Sequence, residues 1–185
     1  MKDRQITLAE LQVFETERLA FRKIELSDKE DMFEYASDPE VARYVSFPEH
    51  KSLEMTEESI VNYFIPNRLI CWGVVDKQSG KMIGTIDLRL EGDQAIFGWV
   101  LNRKFWGRGL MPEAAAYLRD LAFNQLEVQV ITAEHDAENP KSGRVMEKIG
   151  MRKIGQVYTY IAKEKRSVLC DYWALTKAEY QALRK

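Results

Sequence analysis

The chain has 185 residues, 45% of them apolar and 30% charged, with 27 lysines and arginines against 29 aspartates and glutamates. That balance belongs to a folded globular domain and excludes a disordered one, while a net charge of −2 gives no electrostatic reason to bind nucleic acid or an anionic membrane. No apolar run approaches the ~20 residues of a membrane span, and "MKDRQITLAELQ" lacks the apolar stretch of a signal peptide, so a cytoplasmic protein is expected. Cys71 and Cys170 stand far apart in apolar runs and read as buried free thiols. The two histidines are also far apart, and neither CxxC nor HExxH spacing occurs, so no metal site is expected.

Residues 1–14 read as an N-terminal extension holding one short helix, and residues 15–185 as a single domain without an internal linker. "RLAFRKI" (Arg18–Ile24) alternates and predicts a strand. "SDKEDMFEYASD" predicts a helix with Ser27 as N-cap, and "MTEESIVNYFIPN" a second helix capped by Thr56 and stopped near Pro66. Three strands follow, Ile70–Asp76, Met82–Leu90 and Ala95–Leu101, separated by the turn chemistry of "DKQSGK" and "EGDQ". Short links of this kind join antiparallel neighbours. A helix runs on to about Gln125, and Val128–His135 is a further strand. "NPKSGRVMEKIGM" is a helix with Asn139 as N-cap, Pro140 at the first helical position and Gly150 just past the end. "RKIGQVYTYIA" and "RSVLCDYWAL" form a hairpin around "KEK", and a short helix capped by Thr176 closes the chain. The alternation predicts an α/β or α+β fold with a mixed, mostly antiparallel sheet of about seven strands flanked by helices. Of the tryptophans Trp72, Trp99, Trp106 and Trp173, two or three are expected in the core.

Two clusters carry candidate chemistry. In "RKFWGRGLMPEAAAYL" (Arg103–Leu118), two glycines flank one arginine between a strand and a helix. A tight strand-to-helix connection explains this spacing; so does a phosphate-binding loop. Glycine tolerates positive φ and lets an anion approach the backbone, and the amides of residues 107–111 would sit at the positive end of the helix dipole. Arg103, Lys104 and Arg108 add positive charge. The stretch is not a GxxxxGK[ST] P-loop, because Leu110 and Met111 follow the second glycine. It is not GxGxxG either, because proline occupies position 112. A pyrophosphate-bearing group carrier such as coenzyme A fits what is left. In the second cluster, "AEHDAENPKSGRVMEKIGM", Asn139 and Ser142 are explained by ordinary helix punctuation, whereas Gly143 inside a short helix costs about 0.5–1 kcal/mol relative to alanine. Something therefore approaches the backbone there, another element or a ligand.

Together with "ETERLAFRKIELSD", these clusters resemble the GNAT superfamily of acyl-CoA-dependent N-acetyltransferases. Within it they look most like the RimJ/RimL-like enzymes that acetylate protein N-termini, and the resemblance covers roughly Thr16 to Leu175. It implies a GNAT sheet with splayed central strands and acetyl-CoA as co-substrate. The superfamily cradle Gln/Arg-x-x-Gly-x-Gly/Ala falls on Lys104-Phe105-Trp106-Gly107-Arg108-Gly109, so Lys104, Trp106, Gly107, Arg108, Gly109, Leu110 and Met111 would surround the CoA pyrophosphate. Trp99, Val100 and Leu101 would line the thioester channel. Asn139 and Ser142 would face the CoA arm, with Ser142 as the acid that protonates the departing thiolate and Gly143 making room.

This chain departs from the family where many relatives carry a strand glutamate, because Ile96 stands there, and the helix after Asn139 has no tyrosine. No general base is carried over; Asp87, Glu134, His135 and Asp136 are candidates, and each also has a structural explanation. Tyr158 and Tyr160 either pack the final hairpin or wall the acceptor cleft. The implied reaction is direct attack of a neutral amine on the acetyl thioester, the acceptor being a protein or peptide N-terminus. A small amine (antibiotic, polyamine or amino acid) is the alternative, and a non-catalytic acyl-CoA-binding regulator a third. A monomer or a homodimer fits equally.

Overall fold

The computed structural model describes residues 3–183. Met1, Lys2, Arg184 and Lys185, the outermost positions of the expected extension and closing helix, lie outside the described residues. Among these residues eight strands form one open, mostly antiparallel sheet in the order β1-β2-β3-β4-β5-β6-β8-β7. The strand beyond the expected seven is the two-residue β1 (Phe14–Glu15), which straddles the end of the stretch read as an extension. The chain divides into two compact units. One comprises the residues up to Asp87 together with Trp99–Ala114; the other comprises Leu88–Gly98 and the residues from Ala115 onward.

In the first unit, β1, β2 (Leu19–Arg22), β3 (Cys71–Asp76) and β4 (Met82–Glu91) pair antiparallel in sequence. The alternation of "RLAFRK" buries Leu19 and Phe21 completely. Helix α1 (Arg4–Glu10) buries Leu8, and the Trp72 indole N–H donates to the Leu11 carbonyl at 3.1 Å. The helices here are α2 (Lys29–Ala36), α3 (Pro39–Ala42) and α4 (Leu53–Ser59), the last running on as a π-helical turn over Ile60–Phe64.

Two helix starts differ from expectation. Ser27 is not the cap: it lies inside a 3-10 turn, Leu26–Asp28, whose capping box joins Glu25 and Asp28. Asp28 is needed there because its carboxylate also takes a two-pronged contact from Arg22. Thr56 does not cap α4 either. Ser52 does, accepting from the Met55 amide, while the Thr56 hydroxyl is buried and hydrogen-bonded to His50 Nδ1 at 2.9 Å.

In the second unit, β5 (Gln94–Leu101) begins alongside β6 (Val130–Asp136), and the two are parallel. A parallel pair needs a crossover, supplied by α5 (Leu110–Asn124). Their ladder holds three pairs, ending at Ile96 opposite Thr132, which is the expected splay. Strand β8 (Arg166–Thr176) pairs antiparallel with β6 on one side and β7 (Arg152–Ile161) on the other, so β7 is an outer edge. Helix α6 (Pro140–Lys148) ends as expected: Gly150 has φ +86, its amide bonds to Glu147 O and that of Met151 to Met146 O. Helix α7 (Lys177–Ala182) starts in a capping box of Thr176 and Glu179. Tyr180 of α7 stacks on Phe123 of α5, with ring centroids 4.6 Å apart.

Candidate functional site

The link from β5 to α5 is built by its sequence. Asn102, buried, caps a 3-10 turn over Arg103–Phe105 by accepting from the Lys104 amide at 3.0 Å. Its own amide donates to Ile83 O at 2.7 Å. Gly84 permits this approach, because a Cβ there would lie 2.2 Å from Val100 O. The Trp106 indole N–H then donates to Leu101 O at 2.8 Å, folding the ring back onto the strand end.

Gly107 and Gly109 follow with φ +77 and +75, the left-handed conformation that only glycine adopts cheaply. The Gly109 carbonyl accepts the first helical bond of α5, from Glu113. Pro112 takes the third helical position, where it forfeits an amide that has no partner inside a helix. Among the described residues, the amides of Gly107, Arg108, Gly109, Leu110 and Met111 donate to no protein acceptor. No atom lies within 4 Å of where a Cβ on Gly107 would stand. Five successive donors at a helix N-terminus, with no side chain in front of Gly107, fit a bulky anion. Leu110 and Met111 are buried, so any part they take is through their backbone amides and not their side chains.

The cations here are held rather than loose. Lys104 Nζ lies 2.7 Å from Glu34 Oε1 on α2, and Lys81 Nζ lies 2.8 Å from Glu34 Oε2. Lys104 first, and Lys81 after it, hold the Glu34 carboxyl down at about 2. Arg103 Nε pairs with Asp38 at 2.8 Å, and the Arg108 guanidinium lies over the Phe105 ring. Beneath the glycines sits Arg18. Its Nε donates to Glu113 Oε2 at 2.7 Å and its Nη1 to Arg108 O at 2.8 Å. Glu113 Oε1 accepts from the Thr16 hydroxyl at 2.6 Å and from the Arg18 amide at 2.9 Å. Burial alone would raise the Glu113 carboxyl, but these hydrogen bonds outweigh it and keep its pKa below the usual value.

The second cluster lies wholly in the second unit. Asn139 occupies the N-cap position of α6, yet its side chain makes no capping hydrogen bond. Ser142 is half-buried in the first turn. Gly143 is accounted for by its neighbour: a Cβ there would stand 2.8 Å from His135 Nε2 and 3.4 Å from the Trp173 ring. The buried His135 ring is satisfied at both nitrogens, Nδ1 at 2.8 Å from Asp136 O and Nε2 accepting from the Trp173 indole N–H at 3.1 Å. These partners assign the proton to Nδ1. That leaves no lone pair for a substrate proton.

Trp99, Val100 and Leu101 are half-buried at the end of β5. Of the four tryptophans only Trp72 is fully buried, where two or three were expected in the core; Trp106 and Trp173 are half-buried, their N–H groups held by Leu101 O and His135 Nε2. Tyr158 and Tyr160 are exposed on the edge strand and do not pack the hairpin interior. Glu134 is exposed and takes a hydrogen bond from Thr159, and Asp136 is spent on the Glu138 amide. Both cysteines are buried free thiols. Among the described residues, no helix is long and apolar enough to cross a membrane.

A family model described as an acetyltransferase (GNAT) domain matches residues 18–152, which takes in the Arg18 strut, the glycine loop and the Asn139 helix. The chain belongs to the GNAT acetyltransferase family. It is an N-acetyltransferase, which moves an acetyl group from acetyl-CoA to an amine. It is 30% identical to the N-acetyltransferase YnaD of Bacillus subtilis, over 89% of this chain and 97% of that one, and 28% identical to the N-acetyltransferase p20 of Bacillus licheniformis, over 89% and 96%. A GNAT-family acetyltransferase structure from Bacillus anthracis superposes with a TM-score of 0.79 at 28% identity, covering 90% of this chain and 99% of that one. Two more distant structures share the fold, each with a TM-score of 0.71. One is a ribosomal-protein-S5-alanine acetyltransferase from Vibrio fischeri, at 22% identity over 91% of this chain and 98% of that one. The other is a spermidine N-acetyltransferase from Vibrio cholerae in complex with CoA and spermine, at 19% identity over 90% and 99%.

Proposed function

We propose that this GNAT enzyme holds the pyrophosphate of acetyl-CoA on the amides of Gly107 to Met111 and acetylates the N-terminal α-amine of a protein or peptide. The observation that carries the first half is the run of five amides without a protein acceptor, on a loop whose two glycines are both left-handed. Lys104, Trp106 and Arg108 frame that loop. Trp99, Val100 and Leu101 contribute the strand backbone beside the pantetheine and thioester, and Asn139, Ser142 and Gly143 the helix facing the CoA arm. The residues 15–185 act as one acetyltransferase domain to which residues 1–14 are an addition.

The amine nitrogen attacks the thioester carbonyl carbon, the carbon–sulfur bond breaks, and the amine sheds a proton. The leaving thiolate takes a proton from the Ser142 hydroxyl, which is restored from water. Holding both reactants supplies much of the rate. The proton lost by the amine decides the acceptor class. An α-amine, with a pKa of about 7.7–8.0, is partly neutral at neutral pH, whereas a lysine amine near 10.4 is not. The strand position Ile96 offers no acid, and His135 has both nitrogens engaged. An acceptor that needs only water to lose its proton fits these residues best.

Two measurements test this. Acetyl-CoA should raise the melting temperature of the parent, and Gly107→Trp or Gly109→Trp should abolish that rise; variants that respond like the parent would sink the cradle. In a thiol-release screen, peptides with a free α-amine should turn over and the same peptides blocked at the N-terminus should not. Turnover confined to polyamines or other small amines would reverse the acceptor assignment.

A further inference from the structure

Two stretches of the sequence, "ETERL" and "MPEA", are not used by the chemistry above, and they meet at Arg18. The guanidinium of Arg18 spends one edge on Glu113 and another on the Arg108 carbonyl, at 2.7 and 2.8 Å. Glu113 is held in its turn by the Thr16 hydroxyl and the Arg18 amide. A trans peptide is planar, so its N–H points opposite to its C=O. The described residues contain no cis bond. Fixing the Arg108 carbonyl toward Arg18 therefore turns the Gly109 N–H away from Arg18, outward among the other unpaired amides of the loop. Glycine at position 109, here with a left-handed φ of +75, makes this peptide plane easy to flip when unrestrained, since glycine populates both signs of φ. Arg18 Nη2 also stands 3.6 Å from where a Cβ on Gly109 would be, so the strut backs the glycine directly.

We propose that Arg18 is a positioning residue for acetyl-CoA binding: it locks the Arg108–Gly109 peptide so that the Gly109 amide faces the pyrophosphate, with Glu113 and Thr16 holding Arg18 in place. The inference rests on the cradle reading of the loop. It differs from a role as a phosphate-binding cation, because a lysine at position 18 would keep the charge and the ion pair to Glu113. A lysine carries its donors on one nitrogen and lacks the planar fork that spans Glu113 and the Arg108 carbonyl together.

The test is calorimetric titration of CoA and of acetyl-CoA into the parent, Arg18→Lys, Arg18→Met and Gly107→Trp, with the melting temperature of each unliganded protein. Arg18→Lys should melt close to the parent yet bind both ligands about tenfold more weakly, the size expected for losing one well-placed hydrogen bond to a charged group. The loss should be equal for CoA and acetyl-CoA, because the strut acts at the phosphate end. Arg18→Met should bind at least as weakly as Arg18→Lys. If Arg18→Lys binds within twofold of the parent while Gly107→Trp loses binding, the Arg18 assignment is wrong and the cradle stands. If Gly107→Trp also binds like the parent, the cradle fails and the Arg18 assignment with it.

Discussion

Gly143 has no space for a side chain, because a Cβ would press on the His135 imidazole at 2.8 Å. Gly143→Ala should therefore destabilise the fold by about 1–3 kcal/mol, as overpacking does, measured by denaturant unfolding; an unchanged midpoint would mean that His135 moves freely. The bonds of its ring nitrogens to Asp136 O and from the Trp173 indole argue against His135 as the base. His135→Gln should keep kcat within about tenfold of the parent and leave its pH profile in place, whereas loss of a true general base costs 10²–10⁴. Lys23 is the other residue under strain. Its Nζ is buried over the Trp72 ring without a hydrogen-bond partner, and burial pushes its pKa from 10.5 down to about 8. The unfolded chain binds the proton more tightly, so charging Lys23 costs stability below about pH 8, and the cost fades as pH rises to 10.5. Lys23→Met should raise the melting temperature at pH 7, by an amount that shrinks toward pH 10; a difference that stays constant with pH would contradict the burial argument.

At the scale of elements, legibility followed how local the stabilising contacts are. Thr176 and Gly150 were readable as helix punctuation because cap, box and left-handed stop all lie within a few residues of each other. Ser27 and Thr56 misled because the deciding partners are elsewhere: Arg22 claims Asp28, and His50 claims Thr56. The short α3 and the π-helical turn over Ile60–Phe64 carry too few residues to show a period. The segment read as an extension is tied down by Leu8 and by the Trp72 bond to Leu11 O. Removing residues 1–12 should therefore lower the melting temperature, and a truncated protein that melts with the parent would show that α1 contributes nothing. Thr176→Ala should cost about 1 kcal/mol through loss of its cap.

For the whole molecule, the glycines of the loop and the two clusters around residues 107 and 139 could be read from spacing, because a turn and a helix start announce themselves locally. The strut could not. Arg18 and Glu113 are 95 residues apart, and only the folded sheet brings them together beneath the glycines. The same holds for Gly143, whose need arises from a histidine on a neighbouring strand. What the loop does for a GNAT enzyme is most directly measured at its amides. Addition of CoA to isotopically labelled protein should shift the amide resonances of Gly107 through Met111, with that of Gly109 moving strongly. Pantetheine, which lacks the pyrophosphate, should leave them in place. Amides that ignore CoA, or that respond equally to pantetheine, would contradict the assignment of this loop to the pyrophosphate.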